Sequence, residues 1–295
     1  MTRDLTSKID LHMHTTVSDG TDTPEALLRK IRKAGLSLFS VTDHDAVRAG
    51  IRMRALRKKG DPAFLCGAEF SCKDEEGKYH ILGYGFDPEG KAIRRLVETG
   101  HSLRMKKVRA RLDFLRTEFG FTFPKEEIEG LLSLDNPGKP HIGNLMVRYG
   151  YAATKDEAIR DFINRVHFRS EYLRPEQAIE GILDGGGIPV LAHPAYGSGD
   201  QLILGSELME RFRKLTAFGL QGAEAYYSGF TRKIREQVLS CAEELGLYVT
   251  AGSDYHGSNK LVVLGDTGLP DTAEGAEGLQ RFLGEIRSRD GYFSE

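Results

Sequence analysis

Residues 8–20 read KIDLHMHTTVSDG, a short apolar strand that ends in two histidines one residue apart. In an extended strand, residues two apart share a face. His12 and His14 therefore project together, while Leu11 and Met13 point the other way into packing. The turn signal Ser18-Asp19-Gly20 can carry Asp19 back over the strand end. Two imidazoles and a carboxylate converging there begin a metal site. The plain alternative is a pair of histidines that only cap a strand.

Beyond this stretch, short apolar runs alternate with helical patterns. TPEALLRKIRKAG carries a Thr cap, Pro at the first helical position and Gly at its end. LSLFSVTDHD reads as a buried strand, AVRAGIRMRALRKKG as a helix and AFLCGAEFSC as a third strand. KYHILGYGFD follows across DEEGK as a hairpin partner. After residue 170, RPEQAIEGILDGGG, SELMERFRKLTAFG and TRKIREQVLSCAEELG read as helices. Between and after them, IPVLAHPA, LQGAEAYY and LYVTAGSDYHG read as strands. The alternation predicts an α/β fold with a parallel sheet and right-handed crossovers. The number of units suits a closed barrel better than an open sheet.

Between residues 88 and 170 the rhythm stops. A long helical stretch, EGKAIRRLVETGHSLRMKKVRARLDFLRTEFG, is followed by shorter ones, PKEEIEGLL, HIGNLMVRYG and KDEAIRDFINR. The expected organisation is a barrel over residues 1–87 and 171–295, with 88–170 as a helical insertion covering its active site.

Histidines and acids recur where the apolar runs stop: Asp43 and His44 in VTDHD, Glu69 in GAEF, His80 in KYHIL, His193 in LAHPAYG, Asp254 and His256 in GSDYHG. Any one of these is most simply a satisfied core residue. Together they place donors on nearly every strand, and barrel strand ends converge on one face. Burying so many such groups without partners would cost several kcal/mol each; metal coordination is the compensation that suits these donor types.

The 295 residues carry 41 Lys+Arg against 43 Asp+Glu, so no global field favours a long nucleic acid or a membrane surface. No apolar run reaches the roughly 18 residues of a membrane span, and MTRDLTSKID lacks the core of a secretory signal. Three cysteines, Cys66, Cys72 and Cys241, suit free thiols in a reducing compartment. A cytoplasmic location is expected, and the oligomeric state is left open.

The motifs DLHMHTTVSDG, VTDHD, GAEF, AHP and GSDYHG, in this order, resemble the PHP family, named for polymerase and histidinol phosphatase. The resemblance spans residue 8 to about 258, and GKPHIGNLMVRYGY stands where the free-standing phosphoesterases of that family carry a similar basic-Pro-His segment. It implies a distorted (β/α)7 TIM-like barrel holding three divalent ions, with Mn, Zn and Fe all compatible with nitrogen and oxygen donors. Carried over by motif, His12, His14, Glu69 and Asp254 would hold one metal, Asp19, His44 and His256 a second, and Glu69, His80 and His193 a third. Three divalent ions against three carboxylates and a hydroxide leave a net charge of about +2, which attracts a phosphoryl dianion. The implied reaction is attack on phosphorus by a metal-bridging hydroxide, with Asp43 orienting an imidazole by hydrogen bond.

Residues 91–116 hold nine Lys or Arg against Glu98 and Asp113. Most of these suit a solvated helix face. Over a phosphoesterase site, Arg104, Lys139 and His141 are candidates for a second grip on an anion, with His141 also a catalytic candidate. Tyr227 and Ser228 are candidates for the substrate pocket. The expected substrate is a small phosphorylated metabolite: a sugar or nucleotide phosphate, a cyclic phosphodiester followed by its monoester, or a nucleoside 3',5'-bisphosphate. An end-trimming nuclease would need stacking aromatics beside the basic groups, and Trp is absent. A non-catalytic metal module would be closed by Cys or His ligands instead of shared carboxylates. Amidohydrolases also open with His-x-His but lack the pairing of Glu69 with His80.

Overall fold

The computed structural model describes residues 8–167, 172–198, 201–270, 277–288 and 293–294. The first half of the chain runs β1 (Ile9–Asp10), α1 (Pro24–Ala34), β2 (Leu38–Val41), α2 (Arg48–Leu56), β3 (Ala63–Lys73) and β4 (Lys78–Tyr84). Then come α3 (Lys91–Phe119), α4 (Lys125–Leu132), α5 (Lys139–Arg148) and α6 (Lys155–Glu157). The second half runs α7 (Pro175–Asp184), β5 (Ile188–Leu191), α8 (Gly205–Ala217), β6 (Gly222–Tyr227), α9 (Arg232–Glu244), β7 (Tyr248–Gly252), α10 (Glu277–Arg287) and β8 (Phe293–Ser294).

The sheet follows chain order from β1 to β7, with β8 added beside β3. It nearly closes on itself, because Leu11 N–H donates to the Ala251 carbonyl at 2.9 Å and Met13 bridges Tyr255. Every residue of β2 (LFSV) and β5 (IPVL) is buried, as expected for strands covered on both faces.

The hairpin expected across DEEGK forms, so the sheet is not wholly parallel. β4 runs antiparallel to both β3 and β5. The connection over residues 74–77 is too short for a crossover, and a short connection joins only antiparallel strands.

Two apolar clusters divide the molecule. Ile93 and Leu96, on the first turns of α3, pack into the barrel core. Val108 and Leu115, further along the same helix, join Leu131, Ile142, Met146 and Ile163 in a second cluster. α3 is therefore shared, and it approaches the barrel closely at Gly100. A Cβ there would stand 2.9 Å from Asp45 Oδ1.

The single helix expected over KDEAIRDFINR is interrupted. α6 passes into a π-turn at Ala158–Phe162 and a 3₁₀ turn at Ile163–Arg165. Ala158 and Ile163 are both fully buried in the second cluster. A regular α-helix would rotate residues five apart by about 140°; the wider winding keeps them on one side.

Candidate metal centre

His12 and His14 lie in the extended segment after β1, Asp19 in the following turn, His44 beyond β2, Glu69 in β3 and His80 in β4. His193 follows β5, and Asp254 and His256 follow β7. All nine meet around Glu69. His12 Nε2 and His14 Nε2 each lie 3.2 Å from Glu69 Oε2, and 3.6 and 3.3 Å from Asp254 Oδ1. His44 Nδ1 is 3.1 Å from the same Glu69 oxygen. The other oxygen, Oε1, has His80 Nδ1 at 2.8 Å and His193 Nε2 at 3.3 Å. His256 Nε2 stands 3.3 Å from Asp19 Oδ1.

Donor atoms within 4.8 Å of one another form three overlapping groups: His14, Asp19, His44 and His256; His12, His14 and Asp254; His44, Glu69 and His80. His14 and His44 are each shared between two groups, and His193 touches Glu69 from outside them. Among the described residues, non-glycine positive φ occurs only at Asp45, His193 and Asp254. Two of these three belong to the constellation, where such strain tends to collect.

The donors fit divalent cations. His12 Nε2, His14 Nε2 and His80 Nδ1 are buried without a hydrogen bond, although carboxylate oxygens lie within 3.2 Å of each. These nitrogens and oxygens face shared space without hydrogen-bond alignment, and a cation between them would satisfy both. Burial opposes charge on Asp19, Glu69 and Asp254, yet the surrounding histidines, and Lys260 beside Asp254, hold all three well below the usual carboxylate range. Burial also pushes His44, His80 and His256 down toward the neutral, ligating form. On His12 and His14 burial acts the same way, but the neighbouring carboxylates outweigh it and raise both, His14 to about 9. Those are the protons that metal ligation displaces.

The sequence reading did not single out several positioning groups. Glu224, fully buried in β6, accepts from His12 Nδ1 at 2.9 Å through Oε1 and from His193 N–H at 2.8 Å through Oε2. Gly252 makes room for this pair, since a Cβ there would lie 2.3 Å from both Glu224 Oε1 and His12 Cβ. Asp10 gathers Ser253 N–H, Ser253 Oγ and Gly265 N–H, tying β1 to the segments after β7. Lys260 Nζ donates to Asp254 Oδ2 at 2.5 Å. The available clue was an acid inside an apolar run (GAEAYY, KIDLH), which must find a partner if buried.

Four other expected residues make defined hydrogen bonds. Asp43 accepts from Thr15 N–H, Thr15 Oγ1 and Ser18 Oγ, which itself lies 3.4 Å from His14 Nδ1, so it reaches that imidazole through Ser18 and holds the turn between His14 and Asp19. His141 Nδ1 accepts from Gly138 N–H at 3.0 Å and closes the start of α5, with Asp19 and Arg104 among the charges that act on the ring. Tyr227 donates to Asp254 Oδ2 at 3.0 Å, and Ser228 donates to the Ser253 carbonyl at 2.8 Å. Both hydroxyls are engaged by the barrel, while the Tyr227 ring packs against His193 and Tyr196, which line the cavity, at 5.4 and 5.9 Å.

Arg104 and Lys139 do face a cavity of about 300 Å³, together with Asp19, His44, His80 and His193. Arg104 is held from behind: Nε and one terminal nitrogen reach Asp45 Oδ2 at 3.0 and 2.6 Å, and Ser71 Oγ accepts at 3.0 Å.

The sequence model of the PHP domain matches residues 10–174. The chain is 29% identical to a phosphoribosyl 1,2-cyclic phosphate 1,2-diphosphodiesterase of Eggerthella lenta, over 84% of this chain and 94% of that one. It is also 29% identical to a 5'-3' exoribonuclease of Salmonella typhimurium, over 90% and 91% of the two chains. A solved structure from Bifidobacterium adolescentis, described as a metal-dependent phosphoesterase, superposes with a TM-score of 0.75 at 28% identity, covering 88% of this chain and 91% of that one.

Proposed function

The chain belongs to the PHP domain family, and from that premise we propose that it is a metal-dependent phosphoesterase of a small phosphorylated metabolite. Sugar phosphates, nucleotide phosphates and cyclic phosphodiesters are the candidate substrates. The observation that carries this reading is the convergence of eight other donors around Glu69, with buried imidazole nitrogens left without hydrogen bonds. His12, His14, Glu69 and Asp254 would hold one ion, Asp19, His44 and His256 a second, and Glu69, His80 and His193 a third, with Mn, Zn or Fe as the metal. When bound, such ions supply Lewis acidity and a water activated near neutral pH.

The protein's own groups do the rest. Arg104, fixed by Asp45 and Ser71, presents its remaining terminal nitrogen to a phosphoryl oxygen, where a guanidinium donor matches the geometry. Lys139 adds a second cation on the same wall. Asp43 holds the turn that carries Asp19, and Glu224 fixes the His12 tautomer. Residues 88–170 act as an insertion that roofs the barrel of 1–87 and 171–295, and the roof excludes water from the reacting group. A cavity of about 300 Å³ suits a small substrate or a chain end. Among the described residues no helix is long and apolar enough to cross a membrane.

The test is phosphate release by full-length protein loaded in turn with Mn, Zn and Fe. The panel comprises phosphomonoesters, nucleoside 3',5'-bisphosphates, cyclic phosphodiesters and a 5'-phosphorylated oligonucleotide. Turnover of a small ester at least tenfold above the oligonucleotide is expected. Preference for the oligonucleotide would replace the substrate assignment, and no release with any metal would overturn the reading.

A further inference from the structure

The segment HGSNK, residues 256–260, leaves the metal centre through a 3₁₀ turn at Gly257–Asn259. Both sides of this turn are tied down. Ser258 N–H donates to Thr21 Oγ1 at 2.9 Å. Asn259 Nδ2 donates to the Asp19 carbonyl at 2.7 Å. The Asn259 carbonyl in turn accepts from Lys155 Nζ, on α6 of the insertion, at 2.7 Å. Lys260 follows in extended conformation, with φ −133° and ψ 144°. Its ammonium therefore leaves a fixed backbone and reaches back to Asp254.

The two oxygens of Asp254 are divided between different tasks. Oδ1 faces the metal-directed histidines, with His12 Nε2 at 3.6 Å, His14 Nε2 at 3.3 Å and His256 Nδ1 at 3.3 Å. Oδ2 accepts from Lys260 Nζ at 2.5 Å and from the Tyr227 hydroxyl at 3.0 Å. Asp254 is buried, whereas Lys260 is an exposed residue. A lysine so placed ordinarily keeps its ammonium in water. Here the ammonium turns inward to an acid that also faces a cation site, where like charge repels. Solvation does not require that pairing, so its value lies in what it does to Oδ2. A carboxylate with both oxygens free can close on one ion with both. With two donors on Oδ2, only Oδ1 is left.

We propose that Lys260 is a positioning residue: with Tyr227 it confines Asp254 to a single metal-facing oxygen, keeping a coordination position open at some loss of metal affinity. The inference rests on the metal-centre reading above and deepens it, since catalytic sites differ from closed structural ones in the position they leave free. The two donors act differently. Tyr227 is neutral, so it only orients the carboxylate, and orientation favours metal binding. Lys260 is charged, so it orients the same oxygen while opposing the cations bound beside it. Removing one or the other therefore moves metal affinity in opposite directions.

The experiment strips the full chain with EDTA and measures Mn and Zn affinity by competition with a chromophoric chelator. It then measures kcat at saturating metal on the small ester that the parent turns over best. Lys260→Met is expected to hold at least one ion about tenfold more tightly, while kcat falls roughly 10- to 100-fold. Lys260→Arg keeps the charge and should return both values part of the way to the parent. Tyr227→Phe should bind the ions more weakly, by roughly tenfold. Unchanged or weaker metal binding by Lys260→Met would overturn the inference, because a merely structural ion pair predicts that result. Tighter binding with kcat unchanged would overturn it too, since no open position would then depend on Lys260. A parent that binds neither metal would sink the metal centre itself. A parent that binds metal but releases no phosphate from any ester would sink only the phosphoesterase reading, and the opposite shifts in affinity would still decide the role of Lys260.

Discussion

Glu224 offers one oxygen to His12 Nδ1 and the other to His193 N–H. Its carboxylate therefore keeps the His12 proton on Nδ1 and leaves Nε2 free for a metal. A glutamine has one acceptor oxygen, so its amide NH2 must face either a backbone N–H or His12 Nδ1. In the second orientation it donates to Nδ1 and forces the non-ligating tautomer. Glu224→Gln is expected to weaken metal binding roughly 10- to 100-fold with an unchanged far-ultraviolet spectrum, measured by competition with a chromophoric chelator. Lys107 gives a second residue-level prediction. Burial holds its folded pKa near 6, against about 10.4 when unfolded. Between these values the unfolded chain binds more protons, so the stability of the protein rises with pH across that window. Urea midpoints from pH 6 to 9 should climb, and Lys107→Met should flatten the slope. A parent slope equal to that of the variant would remove Lys107 as its source.

The decisive element is α3, because it belongs to both apolar clusters and carries a basic face, Arg104, Lys107 and Arg111, into the cavity. Its attachment to the barrel runs through Asp45, which accepts from Arg104 and from Ser71 N–H and whose carbonyl accepts from Asn136. Asp45 adopts φ 50°, a conformation that asparagine and aspartate tolerate better than other side chains. Asp45→Ala would leave the buried guanidinium of Arg104 unpaired, at a cost of about 3–5 kcal/mol. Asp45→Asn retains an acceptor and the backbone preference, so it should recover part of that loss. Urea denaturation of the two variants checks the order; equal stability would show that the ion pair contributes little to holding α3.

For the whole molecule, the donors come from the ends of β1, β2, β5 and β7 and from within β3 and β4, so bound ions would tie together most of the barrel rim. A metal that binds only the folded state stabilises it by mass action, about 2.7 kcal/mol at 100 times its Kd. Removing metal with EDTA should lower the melting temperature by several degrees, and Mn, Zn or Fe should restore it. His12→Ala with His14→Ala should abolish most of the response. A chelator effect that persists in this double variant would mean that the ions bind elsewhere.

How much of this was legible in the sequence follows from the range of the forces involved. Strand alternation and helix periodicity are local, so they expose His12 and His14 on one face and place Arg104, Lys107 and Arg111 together on α3. The recurrence of donors at the ends of apolar runs likewise marks the residues that meet at Glu69. Partner choice is not local. Glu224, Asp10 and Asp45 acquire roles only when chain segments far apart pack within hydrogen-bond reach, as Glu224 does with His12 across 212 positions. Periodicity shows that α3 has a basic face, but not whether water or the barrel meets it. The turn to the barrel is decided by the apolar contacts of Ile93 and Leu96 and by the close approach at Gly100, and these exist only in the folded chain.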